Sequence, residues 1–364
     1  MENKEEKQGK KALPPIWGKV LRIAGKVGAA LLTLVLLLVI ALYGVMYVLA
    51  KGPSPTASVL FVRSVRETSA VGFLANLFFT EEEILQITAE NAEVEYEEID
   101  TSLIEIPQKQ EDQQLQGGEE GPVADAWGLV DEDGDGIILE EVRGEGYFGY
   151  MMVVKDPSRV IMGCAPASFE KRGYYVSQMV ERFDGVAGIN AGGFLDPNGT
   201  GDGSIPNTLV VFEGQIYYEE NGVGNGFVGL DSNNILHVGR YSVEQIRSRD
   251  IQYGVCFGPV LVVNGEAVGR GGGVNPRTAI GQRSDGAILM LVIEGRQVTS
   301  LGATYDDLAE IMLSYGAVNA CNLDGGSSTM MWYNGEYLNK CAAVSGERPI
   351  PTMFVVLKED EGNE

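Results

Sequence analysis

The 364 residues carry 51 acidic and 27 basic side chains, a net charge of −24, and 45% of them are hydrophobic. With no basic stripe beyond the first 26 residues, this acidity excludes nucleic acid as a partner, because a polyphosphate is bound by clustered Lys and Arg. The apolar content excludes disorder throughout. The charge is regional: residues 81–147 hold 22 acidic groups against 2 basic, whereas residues 148–364 hold 25 against 15.

Residues 1–26 form a basic tail with Lys4, Lys7, Lys10, Lys11, Lys19, Arg22 and Lys26. Residues 27–50 then run without a charge, long enough as a helix to cross about 30 Å of hydrocarbon. Only Lys51 follows before a Pro/Ser/Thr stretch, so the positive-inside bias predicts a cytoplasmic N-terminus, a single membrane pass and an extracytoplasmic remainder. A cleaved signal peptide is the alternative, with small residues at Val48-Leu49-Ala50, although its apolar core is usually only about 7–15 residues.

Residues 51–107 show helical apolar spacing, with Thr80 and Glu83 placed as a capping box, and are predicted to form a helical stalk. Residues 108–121 (QKQEDQQLQGGEEG) lack apolar periodicity and predict a flexible acidic linker. A domain over 122–364 follows. Asp131, Asp133 and Asp135 with Gly136 match the start of a calcium loop, but Val142 stands where a bidentate Glu is needed. A tight acidic turn in a hairpin and a variant calcium loop both stay open.

Beyond Tyr147 the pattern alternates apolar strands with Gly-containing turns: TLVVFEGQIYY, GPVLVVNGEAV and the pair turning at Asp285-Gly286 predict hairpins. Helices are predicted over 171–184 and from the Thr304 cap to about Ser314. Strands AVNACNL, TMMWYNGEYL and TMFVVLK close the chain. The fold class is therefore α+β (mixed α/β), a hairpin-rich mixed sheet with a few packed helices, preceded by one transmembrane helix. Four cysteines leave disulfides and free buried thiols open. His237 is the sole histidine; mid-strand among apolar residues it reads as structural, which leaves no Ser-His-Asp site and no His-rich zinc site.

Three glycine-rich loops at strand ends could carry chemistry. Asn322-Leu323-Asp324-Gly325-Gly326-Ser327-Ser328 turns a strand on two glycines beside a carboxylate and exposes backbone N–H groups suited to an anion. Arg277 in Asn275-Pro276-Arg277-Thr278 could hold a phosphate bidentately. Asn190, beside Gly192-Gly193-Phe194, could orient a sugar hydroxyl or water. Each has a bland structural alternative: a hairpin turn, a salt-bridge arginine and a turn cap.

Together, GINAGGF (188–194), GTGDG (199–203), FGPVLVVNG (257–265), NPRTAIG (275–281), LVIEGR (291–296), NLDGGSSTMM (322–331) and ERPIP (347–351) resemble a known family. It is the phosphodiester glycosidase (N-acetylglucosamine-1-phosphodiester alpha-N-acetylglucosaminidase, or uncovering-enzyme-like) domain family, including its bacterial exopolysaccharide-biosynthesis-type members. The likeness spans Tyr147 to Leu357; DGGSS departs from a form in which a third glycine precedes the serines. The resemblance implies hydrolysis of a glycosyl-1-phosphodiester in a cell-envelope or exopolysaccharide glycan. On that reading Asp324 is the catalytic carboxylate, Glu294 its runner-up and Asn190 an orienter. Arg277 and Arg348 are phosphate clamps, Gly325, Gly326, Ser327 and Ser328 an anion cradle, and Gly193, Phe194 and Thr278 further substrate contacts. No cofactor is assigned, with a divalent cation shared by Asp202 and Asp324 left open. The competing expectations are a non-catalytic binding module for anionic wall or capsule polymers, and an assembly factor acting through residues 53–107.

Overall fold

The computed structural model describes residues 15–89, 95–107, 123–165, 172–197, 201–219, 226–343 and 345–359. The expected linker at 108–121 thus lies outside the described residues. The chain divides into two units, 1–59 and 60–364.

In the first unit, helix Pro15–Lys51 contains Arg22–Lys51, long and apolar enough to cross a membrane. Its large side chains, such as Leu32, Leu38 and Leu42, are exposed.

The second unit begins at Leu60, within the stretch expected as a helical stalk. Glu81–Ala89 is helical and starts on the expected capping box, with Thr80 N donating to Glu83 Oε2 at 2.7 Å and Glu83 N to Thr80 Oγ1 at 3.2 Å. Val62, Ala75 and Ile84 form a small apolar cluster beneath it.

Three antiparallel sheets build the rest. A seven-stranded sheet has the order Ile137–Gly144, Tyr147–Val154, Ile288–Ile293, Arg277–Arg283, Ala317–Leu323, Val260–Val263, Glu266–Ala267. A five-stranded sheet has the order Glu336–Tyr337, Met331–Tyr333, Gly185–Asn190, Thr352–Leu357, Val160–Cys164. A second five-stranded sheet has the order Gln215–Tyr218, Val210–Phe212, Ile251–Cys256, Phe227–Asp231, Leu236–Gly239. Inward faces of all three, among them Met152, Met162, Ile189, Val228, Met290 and Phe354, share one core. Helices cover the outer faces: Tyr305–Ser314 packs Leu308 and Met312 on the seven-stranded sheet, and Val176–Arg182 packs Met179 on the sheet holding Met353. Apolar side chains at alternating positions feed the core and the outer helices in turn, which is the α+β arrangement the period-2 strands predict.

Local expectations are met where turn chemistry is explicit. Thr304 caps Tyr305–Ser314 through Asp307, and Gly286 takes a positive φ of 88° in the 285–286 turn. The acidic turn at 131–136 differs: WGLV forms no strand, so the turn precedes strand Ile137–Gly144 instead of joining a hairpin. Asp131 accepts from Gly134 N, Gly136 N and Lys155 Nζ, and the Asp131, Asp133 and Asp135 carboxylates offer oxygens within 4.8 Å of one another. All four cysteines are free thiols. His237 is buried with Nε2 3.0 Å from Asp231 Oδ2, the structural placement its apolar neighbours predict.

Candidate functional site

Neighbouring central strands of the seven-stranded sheet deliver polar groups to one of their ends. The register pairs Arg277 with Ile293 and Thr278 with Leu323, which sets Arg277 opposite Asp324 and leaves Arg296 just past the end of the third strand. A cavity of about 420 Å³ opens there, within the usual range for small-ligand sites. Its wall includes Gly193, Phe194, Arg277, Asp324, Gly325, Gly326, Ser327, Ser328 and Arg348 from the sequence reading, joined by Glu67, Thr68, Asp196, Asn207, Arg296, Tyr305 and Asn322.

Asp324 follows strand Ala317–Leu323 and is fixed through its backbone: its N–H donates to Ala191 O at 2.9 Å, and its carbonyl accepts from Asn190 Nδ2. Burial of the carboxyl inside the cavity raises its pKa from the usual 3.8 to about 6. The Ser328 hydroxyl, the Arg348 charge and the Gly325 N–H oppose the rise, while the Asp196 charge adds to it. Gly326, at φ 60°, completes the turn.

Arg277 is buried, with Nε and Nη2 engaged. Nε donates to Ala303 O at 3.1 Å, Nη2 donates to Gly273 O and Glu67 Oε2 at 2.6 Å each, and the guanidinium stacks 4.1 Å from the Tyr305 ring centre. Desolvation alone would lower its pKa, but the Tyr305 and Glu67 interactions raise it. Arg348 pairs with Asp196 at 2.9 Å and lies 4.4 Å over the Phe194 ring. Arg296, in the left-handed region at φ 57°, directs Nη2 to two neutral acceptors, Thr68 Oγ1 at 2.9 Å and Asn275 Oδ1 at 3.2 Å.

Three residues expected at the site lie off the cavity wall. Asn190 spends its amide on the scaffold, with Oδ1 accepting from Thr278 Oγ1 at 2.9 Å and Met330 N at 3.1 Å; it positions the Asp324 loop. Thr278 is fully buried in that same contact. Glu294 is buried and accepts from Lys340 N at 2.7 Å. The glycine loop's backbone donors are also largely engaged: Gly326 N bonds Pro276 O at 2.8 Å and Ser328 N bonds Gly325 O at 3.1 Å. Asp202, for which a cation shared with Asp324 was left open, accepts from Ser204 and is not on the cavity wall.

Sequence reasoning missed two asparagines. Asn322 donates from Nδ2 to Gly258 O at 2.7 Å, and its buried Oδ1, like that of Asn207, has no hydrogen-bond partner among the described residues. Acceptors left open on a cavity wall suit sugar hydroxyl or amide donors, since a buried acceptor without a partner costs about 1–3 kcal/mol. The signal was the period-2 spacing of Asn322 and Asp324, which puts both on one strand face.

Residues 183–357 match the family model described as phosphodiester glycosidase. Over 87 residues the chain is 36% identical to the SPbeta prophage-derived uncharacterized protein YomE of Bacillus subtilis (strain 168). That stretch is 24% of this chain and 14% of the relative, so the chain spans far less than two thirds of that protein. The fold is similar to the catalytic domain of zebrafish N-acetylglucosamine-1-phosphodiester alpha-N-acetylglucosaminidase, auto-inhibited by pro-peptide. The TM-score is 0.51 at 18% identity, over 61% of this chain and 82% of that one. A hypothetical protein from Synechocystis matches with a TM-score of 0.43 at 18% identity, over 60% of this chain and 62% of that one.

Proposed function

Residues 183–357 carry the match to the phosphodiester glycosidase family, and from that premise we propose that this protein hydrolyses a glycosyl-1-phosphodiester in the cavity around Asp324. The observation that carries the reading is a cavity-facing carboxylate with a pKa near 6, among arginines and unpartnered amide oxygens. In the reaction the bond between the anomeric carbon and the phosphate oxygen breaks, and its electron pair leaves with the phosphate. Asp324, ionised above pH 6, stabilises the oxocarbenium-like centre and accepts a proton from the water that adds to the anomeric carbon. The leaving phosphate is a weak base, so a nearby guanidinium serves where a general acid would otherwise be needed.

The substrate is a cell-envelope or exopolysaccharide glycan. Residues 27–50 anchor the protein in a membrane, N-terminus cytoplasmic and domain extracytoplasmic. The uncharged apolar helix and the basic residues before it support this placement.

The test is Asp324→Asn in the purified full chain, assayed on a synthetic glycosyl-1-phosphodiester. Loss of turnover by about 10²–10⁴-fold is expected for removing a general base. Full activity would overturn the assignment, and a wild-type protein that binds such glycans without turnover would instead support a binding module.

A further inference from the structure

The cavity wall holds three carboxylates, Glu67, Asp196 and Asp324, and three guanidinium groups, Arg277, Arg296 and Arg348. Two of each neutralise one another, Glu67 with Arg277 at 2.6 Å and Asp196 with Arg348 at 2.9 Å. One carboxylate and one guanidinium remain. We infer that Arg296, rather than Arg277 or Arg348, is the receptor for the anionic group of the ligand, binding the substrate phosphate and turning the anomeric carbon toward Asp324. This rests on the reading of the cavity as a phosphodiester site.

Arg277 is the poorer receptor, because Nε and Nη2 are committed to two backbone carbonyls and its charge is already matched by Glu67. Arg348 is matched in charge by Asp196, so an anion gains less there, although its buried Nε has no hydrogen-bond partner among the described residues. Arg296 has only neutral acceptors, and no carboxylate lies within ion-pair distance of it among the described residues. Its desolvation and the nearby Arg277 charge lower its pKa, so its charged form is under-compensated as it stands. An anion would repair that deficit: a guanidinium binds phosphate through two parallel N–H bonds, and such charge-assisted bonds are about twice as strong as neutral ones. The approach is open on the turn side. A methyl group at Gly326 would lie 3.3 Å from Arg296 Nη2, so the glycine keeps clear the space against the guanidinium face. Thr68, hydrogen-bonded to Nη2, supplies a hydroxyl beside the same position.

The test uses the detergent-solubilised full chain, with inorganic phosphate as probe in calorimetric titration and a synthetic glycosyl-1-phosphodiester as substrate. Arg296→Gln is expected to weaken phosphate binding by about tenfold or more and to raise KM more than it lowers kcat. Arg296→Lys, which keeps the charge but not the fork, is expected to fall between. Circular dichroism and the unfolding midpoint verify that both variants fold. Equal phosphate affinity in wild type and Arg296→Gln, or none in wild type, overturns the inference. If phosphate binds through Arg296 but wild type hydrolyses nothing, the catalytic reading fails and the anion site stands. If hydrolysis proceeds with KM unmoved by Arg296→Gln, the reverse holds.

Discussion

Glu67 Oε2 sits 2.6 Å from Arg277 Nη2, although 210 positions separate the two residues. The pair joins the segment after helix Pro55–Arg66 to the strand edge beneath the cavity. The Arg277 side chain is 5% exposed and the Glu67 side chain 23%, so removing the carboxylate strands a charge that water reaches poorly. Glu67→Gln should destabilise the protein by about 1–3 kcal/mol, below the range for a fully buried pair because two backbone carbonyls still hold the guanidinium. Urea unfolding at neutral pH measures this, and an unchanged midpoint would show that the pair contributes nothing.

The raised pKa of Asp324 makes two linked forecasts. With Asp324 acting as the proposed base, which requires its ionised form, kcat/KM should climb through about pH 6 and then level off. Its folded pKa lies above the usual 3.8, so between about pH 4 and 6 the native state holds a proton that the unfolded chain has lost. The stability from this group is therefore full at low pH and declines as pH rises through 6. Asp324→Asn should lower turnover by the same factor of about 10²–10⁴ and yet raise stability by about 1–3 kcal/mol at pH 7–8, with little gain at pH 4. Thermal melts of both proteins across that range check the sign; a variant destabilised at pH 8 would contradict it.

Gly193 lies where the chain crosses the cavity wall. A Cβ there would be 2.7 Å from the Phe257 ring and 2.9 Å from Asn207 Nδ2, closer than real contacts allow. Gly193→Ala should push these two side chains into the cavity, raising KM several-fold and costing about 1–3 kcal/mol in strain. Michaelis kinetics with a glycosyl-1-phosphodiester, beside an unfolding curve, separates the two effects.

What the sequence could disclose follows its local chemistry. Asp324, Gly325, Gly326 and Ser328 were legible because a strand ending in DGGSS announces its own turn, and the turn does face the cavity. The helix from Thr304 was legible from its cap. Arg277 and Asn190 were legible as polar residues at strand ends, but their employment was not, because it depends on partners far along the chain: Glu67 for one, Met330 and the Asp324 carbonyl for the other. Arg296 was legible as part of the LVIEGR match, but no role could be given to it for the same reason. An arginine stands out as an anion receptor only after its neighbours' charges have been cancelled, and that cancellation is tertiary. Glu67 and Thr68 were hidden inside an apparently separate helical stretch, whose apolar spacing says that it packs but not on what.

The buried His237–Asp231 pair tests stability away from the cavity. Burial alone would raise the Asp231 pKa, yet it is lowered, because the carboxylate accepts from His237 Nε2 at 3.0 Å, Ile235 N at 2.9 Å and Asn233 N at 2.8 Å. A depressed carboxylate stabilises the fold above the unfolded pKa and loses that contribution as pH falls through the folded one. Asp231→Ala removes three acceptor contacts and orphans the donors in the turn between Phe227–Asp231 and Leu236–Gly239. It should cost about 2–4 kcal/mol at pH 7 and flatten the acid limb of the stability curve, while leaving phosphate affinity in the cavity unchanged. Urea midpoints at pH 7 and pH 3 for both proteins measure the loss, and an equal deficit at the two values would mean that the contribution comes from packing and not from the charge.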